Sequence, residues 1–353
     1  MPVKSFEPIN PASDVTTTRT FLHEVCPITG SIVSGTYSDN NIKNYTHGMF
    51  QSVYDYPYLS SSANHIFDLS MGYAGSSAIS GAANIQGSKK INMYNQFAQT
   101  LLGFTGSTNT IRAFESDLLL DQTGSMKECF MVNFSRLLTK DEIKKNTFSI
   151  TLGTSSYSTP FHNGAGHTIG TIKLQDANAR INGDGVNNAD GGDYGVLFSN
   201  SAGTGDGLGV VFYQAGIAVI TASAFQGITD FAKHPSKGNQ TTTQAFTGSS
   251  ITGSIEAFRR RIYNISFNNT TEINSTIYFC RAPSNKFNYS SNPTYVTGSK
   301  IRVKNIASDN PISYVTTVGL YNSSNELLAV AKLSEPLKKS VDNELTIRVR
   351  LDY

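Results

Sequence analysis

Apolar positions recur mostly at a spacing of two, in short runs bounded by Gly, Asn, Asp or Pro. Runs of this kind read as strands. They cover 130–138, 147–152, 169–174, 194–198, 209–213, 217–222, 276–281, 300–305, 314–321, 326–333 and 345–351. In the last, Leu345, Ile347, Val349 and Leu351 alternate with Thr346, Arg348 and Arg350, which predicts one inward and one outward face. The runs 314–321 and 326–333 flank Asn322-Ser-Ser-Asn325, a turn, so a hairpin is expected, with Pro336 closing its second strand. A helical period appears in three places. Ile91, Tyr94, Phe97, Leu101 and Leu102 predict a helix over 88–102, capped by Ser88 and stopped by Gly103. Thr139-Lys-Asp-Glu142 has the form of a capping box and predicts a short helix. Ile255, Phe258 and Ile262 predict a third over 254–263.

The fold class expected is mainly β with a few helices, as β-sandwich-like domains behind an extended N-terminal arm. Residues 1–60 have little periodicity and are punctuated by Pro2, Pro8, Pro11 and Pro27. An arm this poor in clustered apolar residues is expected to be ordered by wrapping on the rest of the chain or on a neighbouring subunit, with Tyr45, Phe50, Tyr54, Tyr56 and Tyr58 as anchors. A mixed segment, 61–125, carries the 88–102 helix, and a β-rich domain spans 126–233. The polar stretch His234–Thr243 reads as a loop, opening a linker with a short helix over 234–270. A C-terminal β-rich segment, 271–353, is expected to complete the 126–233 sandwich.

Composition sharpens this picture. Gly, Ser, Thr and Asn together make up 136 of 353 residues, while charged residues are only 15%. The average domain has about 25% charged residues. With 17 Tyr and 20 Phe the chain has anchors for a core, which excludes a disordered class. A net charge of +2 argues against a nucleic-acid coat. The most apolar stretch, 208–225, is interrupted by Tyr213, Gln214 and Gly216, so a buried hairpin is expected and no membrane span. The N-terminus has no apolar run of the signal-peptide kind. So low a charge content also predicts a surface covered by other subunits.

Candidate chemistry is sparse. Cys26, Cys129 and Cys280 are far apart and read as buried thiols. His162 and His167 lie five apart in a Gly-rich loop, unlike the four-residue spacing of helical metal ligands. No nucleophile elbow, phosphate loop or dinucleotide fingerprint is present, and a non-enzymatic role is expected. The segment 176–193 is rich in oxygen donors, and Asp176, Asp184, Asp190 and Asp193 make it a candidate calcium loop; no other cofactor is indicated. Against calcium, the EF-hand order is absent and no Glu closes the loop. Arg259-Arg260-Arg261 is a basic run that reads as a solvated helix face, as an inter-subunit salt-bridge cluster or as a phosphate contact. Phe287, Tyr289 and Tyr295 are further interface candidates.

The segments Tyr314-Val-Thr-Thr-Val-Gly-Leu-Tyr-Asn322 and Glu326-Leu-Leu-Ala-Val-Ala-Lys-Leu333 resemble a module of tail, baseplate and fibre-associated proteins of tailed bacteriophages. His47-Gly-Met-Phe-Gln-Ser-Val-Tyr-Asp-Tyr-Pro-Tyr-Leu59, Lys89-Lys-Ile-Asn-Met-Tyr-Asn-Gln96 and Asn133-Phe-Ser-Arg-Leu-Leu-Thr-Lys-Asp-Glu-Ile-Lys-Lys145 look like virion structural proteins of T4-like myoviruses of the marine cyanophage type. The resemblance implies a structural subunit of the virion, made in the host cytoplasm and placed in the contractile tail, baseplate or neck. It implies as partners copies of itself in a symmetric ring and other tail, baseplate or neck proteins, with no specific nucleic acid. Its motifs carry no chemistry, so no catalytic residue transfers. The alternative is a receptor-binding or fibre-like adhesin that uses the 176–193 loop to bind a cation or glycan.

Overall fold

A computed structural model describes residues 6–24, 39–81, 86–106, 108–163, 168–179, 185–289, 296–297, 300–301, 308 and 310–353. Strands account for 43% and helices for 15%, a mainly β chain as the period-two pattern implies. The chain divides into two units, Leu22–Thr271 and a smaller one made of Met1–Phe21 with Glu272–Tyr353. Among the described residues no helix is long and apolar enough to cross a membrane.

The larger unit is built on an eight-stranded antiparallel sheet. Its order is Val186–Ala189, Gly192–Leu197, Gly209–Phe212, Ile217–Thr221, Glu128–Phe134, His65–Tyr73, Phe50–Tyr54 and Ile42–Asn44. Strand alternation sends successive side chains to opposite faces. The pairs Phe67–Phe134, Leu69–Val132 and Met71–Phe130 lie on one face, and Ser70–Met131 and Gly72–Cys129 on the other. Four α-helices occur among the described residues: α1 (Gly87–Leu102), α2 (Arg136–Thr139), α3 (Thr242–Thr247) and α4 (Ile251–Arg259).

On the first face a three-stranded sheet (Thr171–Gln175, Ser149–Gly153, Ile262–Ser266) joins α3 and α4 over one apolar cluster. Phe130 is its hub: its ring stacks on Phe258 at 4.5 Å and meets Phe246 edge-on at 5.0 Å. On the second face α1 lays Tyr94, Ala98 and Leu101 against Cys129, Met131, Phe212 and Val219. Gly72 permits this: a Cβ there would sit 2.6 Å from the Lys90 carbonyl oxygen and 2.7 Å from the Tyr94 nitrogen. Lys90 is fully buried, and its Nζ donates to the carbonyls of Phe246 (2.6 Å) and Gly248 (2.7 Å) at the end of α3. Those carbonyls are among the orphans of a helix terminus, so a buried ammonium can satisfy them. Burial pushes its amine down to about 8.

Several expectations are corrected. Residues Ile42–Asn44 and Phe50–Tyr54 of the expected arm are strands of the main sheet, and Val53 is fully buried. Ile42–Asn44 pairs with Phe50–Tyr54, whose other partner, His65–Tyr73, lies outside the arm, so no local pattern announced them. Thr139-Lys-Asp-Glu142 is no capping box: α2 ends at Thr139, and Glu142–Ile143 pairs as a strand with Asn269 and Thr270. The capping box sits instead at Thr241 and Gln244, opening α3. The expected 234–243 loop forms strands Ala232–His234 and Gly238–Gln240. The third helix starts earlier, at Ser250, whose side chain accepts from the Gly253 amide at 2.9 Å, and the chain is already a strand at Ile262. Ser88 does not cap α1; Gln86 holds that position.

In the smaller unit, Val15–Glu24, Asn269–Ala282 and Leu345–Asp352 form adjacent strands, and Ile312–Tyr321 pairs with Leu327–Ser340 as a long two-stranded ribbon. The expected hairpin is present, but Pro336 lies inside its second strand, the position of a proline on an edge strand. Ion pairs Arg19–Glu272, Arg281–Asp14 and Lys286–Glu7 tie the N-terminal residues to this sheet side. Buried Lys339 donates to Asn288 Oδ1 at 2.7 Å and to the Ser340 carbonyl at 2.8 Å.

Candidate functional site

The second face of the main sheet changes character toward its Ile42–Asn44 edge. Under α1 it is apolar, but on Phe50–Tyr54 and His65–Tyr73 the same face carries Phe50, Ser52, Asp68 and Ser70. Ser52 Oγ donates to Asp68 Oδ1 at 2.5 Å, and His65 Nε2 meets the same oxygen at 2.8 Å. Tyr45 OH lies 3.2 Å from Ser52 Oγ. The carboxylate therefore stands between Ser52 and His65. A nucleophilic serine needs the imidazole in that place, as its base. The order Ser52–Asp68–His65 is therefore not that of a serine nucleophile with its imidazole base.

Aromatic rings surround it. Tyr45 stacks on His47 at 5.3 Å and meets Phe50 at 4.6 Å, with the Lys43 ammonium 5.0 Å from the Tyr45 centroid. Tyr54 contacts Tyr58 at 6.4 Å and His65 at 5.5 Å. Asn41 Nδ2 holds the Tyr54 and Asp55 carbonyls at 3.2 and 3.0 Å, which fixes the turn beyond the strand. Past it, Tyr56 is 60% and Leu59 85% exposed. The structure thus brings Tyr45 to Phe50 at one end of the strand Phe50–Tyr54 and Tyr58 to Tyr54 at the other, with Tyr56 exposed in the turn beyond.

The arginine run behaves differently. Arg261 is fully buried and donates to four backbone carbonyls, of Gly153, Ser155, Asp230 and Phe231, with its guanidinium 4.8 Å from the Phe231 ring centroid. Burial lowers it to about 10. Arg259 is buried against Glu256, and Arg260 reaches both Glu256 and the Tyr157 ring. Burial acts to raise Glu256, but Arg259 and Arg260 outweigh it and hold the carboxyl below its ordinary value. As an inter-subunit cluster the run is corrected: two of its three arginines are spent inside the unit.

The candidate calcium loop is dispersed. Val186–Ala189 and Gly192–Leu197 form a hairpin at one edge of the main sheet. Asp176 is buried and accepts from the Asn146 amide (2.8 Å) and from Tyr213 OH (3.1 Å), and burial pushes it up to about 6. Asp193 pairs with Lys145 at 2.5 Å, Asp190 is exposed, and Asp184 lies outside the described residues. No group of three or more His, Cys, Asp or Glu gathers among the described residues. In the smaller unit Tyr289 is exposed, Phe287 is half-buried with a left-handed backbone (φ +59°), and Tyr295 lies outside the described residues.

A second surface was read in the sequence only at Tyr289. Of the 16 large apolar side chains exposed among the described residues, ten lie in the smaller unit: Phe6, Tyr289, Tyr314, Tyr321, Leu327, Leu328, Val330, Leu337, Val341 and Tyr353. Among the described residues that unit buries three apolar residues, Ala282, Leu320 and Val349, against 49 in the larger one. The signal was Leu327-Leu-Ala-Val-Ala331, an apolar run with no polar alternation, which leaves a two-stranded ribbon apolar on both faces. Comparison with protein families, with curated proteins and with solved structures finds no match to this chain.

Proposed function

We propose that this protein is a structural subunit of a tailed-bacteriophage particle, in its contractile tail, baseplate or neck, and that it works by burying surface against neighbouring subunits. The observation that carries the assembly role is the split between its two units. The larger one closes apolar clusters on both faces of its sheet, while among the described residues the smaller one exposes ten large apolar side chains and buries three apolar residues. Exposed apolar patches beyond a few hundred Å² mark interaction sites in soluble proteins. The aromatic sheet edge from Tyr45 to Leu59 supplies a second such surface. The phage assignment itself rests on the sequence resemblance.

The test is to label the protein in purified particles and locate the label by electron microscopy. A discrete, symmetric position in the tail, baseplate or neck supports the reading; particles that lack the protein refute it. The adhesin alternative places the label at fibre tips and makes host binding depend on this chain.

A further inference from the structure

The end of the ribbon next to its turn is a compact apolar surface. Tyr321 pairs with Leu327 and Gly319 with Val330. Gly319 is covered by its neighbours: a Cβ there would lie 2.9 Å from the Tyr321 ring and 3.1 Å from Leu327. Phe6 meets the Tyr321 ring edge-on at 5.2 Å. Leu328 stands at the register shift beside Tyr321 and is 68% exposed. Among the described residues the two strands pair only with each other, and an isolated two-stranded hairpin is marginal in water.

The ribbon's edges are poor templates for strand addition. Pro336, Lys332 and Lys338 lie on the strand Leu327–Ser340, and the register shifts between Val315 and Thr317. These are the devices that block edge-to-edge pairing. Association therefore goes through the face.

We propose that the face formed by Phe6, Tyr321, Leu327, Leu328 and Val330 is a self-association site that docks on the same face of a second copy of this chain. The inference rests on the assembly reading above and names its partner. Two observations select a second copy. The first is charge: the exposed charges of the ribbon are Lys332 and Lys338 against Glu326 and Glu335, so the surface is neutral and carries both signs. Two copies meeting about a two-fold axis can set each lysine against a glutamate, since the same patch serves both sides. The second is area. At about 180 Å² for a large side chain, the five exposures amount to roughly 450 Å² of apolar surface per copy. An interface is about 57% non-polar, which scales this to roughly 800 Å² per partner, the size of a standard stable interface.

The experiment is sedimentation velocity on the full chain from about 1 to 100 µM, with hydrogen exchange of the 327–333 amides at both ends of that range. Wild type is expected to sediment as a multiple of 38.2 kDa at the upper end, with protection rising alongside. Leu328→Glu with Val330→Glu should weaken association by roughly 100-fold, two charges having entered an apolar contact. Leu328→Ala with Val330→Ala, which cannot disturb folding by charge, should weaken it by roughly tenfold. Urea unfolding followed by circular dichroism confirms that the larger unit is intact in each variant. A wild type that stays monomeric at 100 µM, or alanine variants that associate as wild type does, overturns the proposal. So does a chain that stays monomeric while its 327–333 amides become protected only when another phage protein is added. A monomeric chain found in purified particles refutes the second copy and leaves the assembly reading standing; an associating chain absent from particles does the reverse.

Discussion

Replacing Asp176 with Asn should stabilise the larger unit at neutral and alkaline pH, and only there. The carboxyl is 1% exposed, and its two donors, the Asn146 amide and the Tyr213 hydroxyl, offset only part of its lost hydration. Burial pushes it from 3.8 up to about 6, and two pH units correspond to about 3 kcal/mol. Because the folded value is raised, the native state holds this proton more tightly than the unfolded chain does. The stability tied to Asp176 is therefore fully present below about pH 4 and is lost as pH rises through 6. Asp193 and Glu256, held below their ordinary values, run the opposite way, so only the difference between wild type and variant isolates Asp176. In Asp176→Asn the amide oxygen still accepts from Asn146 and Tyr213. At pH 8 the variant should be more stable by roughly 2–3 kcal/mol, a gain that shrinks below pH 6 and vanishes near pH 4. Urea unfolding followed by far-ultraviolet circular dichroism at pH 8, 6 and 4.5 measures this. A variant less stable than wild type at pH 8, or a difference that does not change with pH, refutes the reasoning.

Arg261→Met leaves four backbone carbonyls without their donor and should cost roughly 3–5 kcal/mol, read as a lower urea midpoint. Tyr56→Ala at an exposed position should leave stability within about 0.5 kcal/mol while reducing incorporation into particles. A variant that assembles normally but unfolds more readily would reverse that reading. With Asp176 bonded to Asn146 and Tyr213, and Asp193 to Lys145, chelator should leave the thermal midpoint unchanged; a fall of several degrees restores the calcium loop.

How much was legible depended on whether the signal was local. The α1 helix was, because Tyr94, Ala98 and Leu101 repeat at helical spacing and Gly103 ends it with φ +72°. So were the strands around 194–222, whose β-branched runs are bounded by glycines. The strand at Phe50–Tyr54 was not, because five residues gain their meaning only from pairing with His65–Tyr73. Arg261 was misread for a related reason. Three adjacent arginines look like surface, and nothing in the run shows that one meets the carbonyls of Gly153 and Phe231, which are remote in sequence. The tyrosines near the sheet edge stand out in the sequence, but the Ser52–Asp68–His65 network among them needed the strand register to appear.

Low charge has two separate origins here. In the larger unit several of the few charges work internally: Lys90 holds the end of α3, Arg261 clamps loop carbonyls, and Glu256 binds Arg259 and Arg260. There the low count reflects a closed core and implies nothing about neighbours. In the smaller unit Arg19, Arg281 and Lys286 pair with Glu272, Asp14 and Glu7, while large apolar side chains stay outside. Surface ion pairs of this kind contribute about 0–1 kcal/mol each, too little to replace a core. Under the proposed assembly role, association would add to its stability, which would then depend on protomer concentration. As a proposal, the covered surface expected from the whole chain's composition thus narrows to the ribbon of the smaller unit.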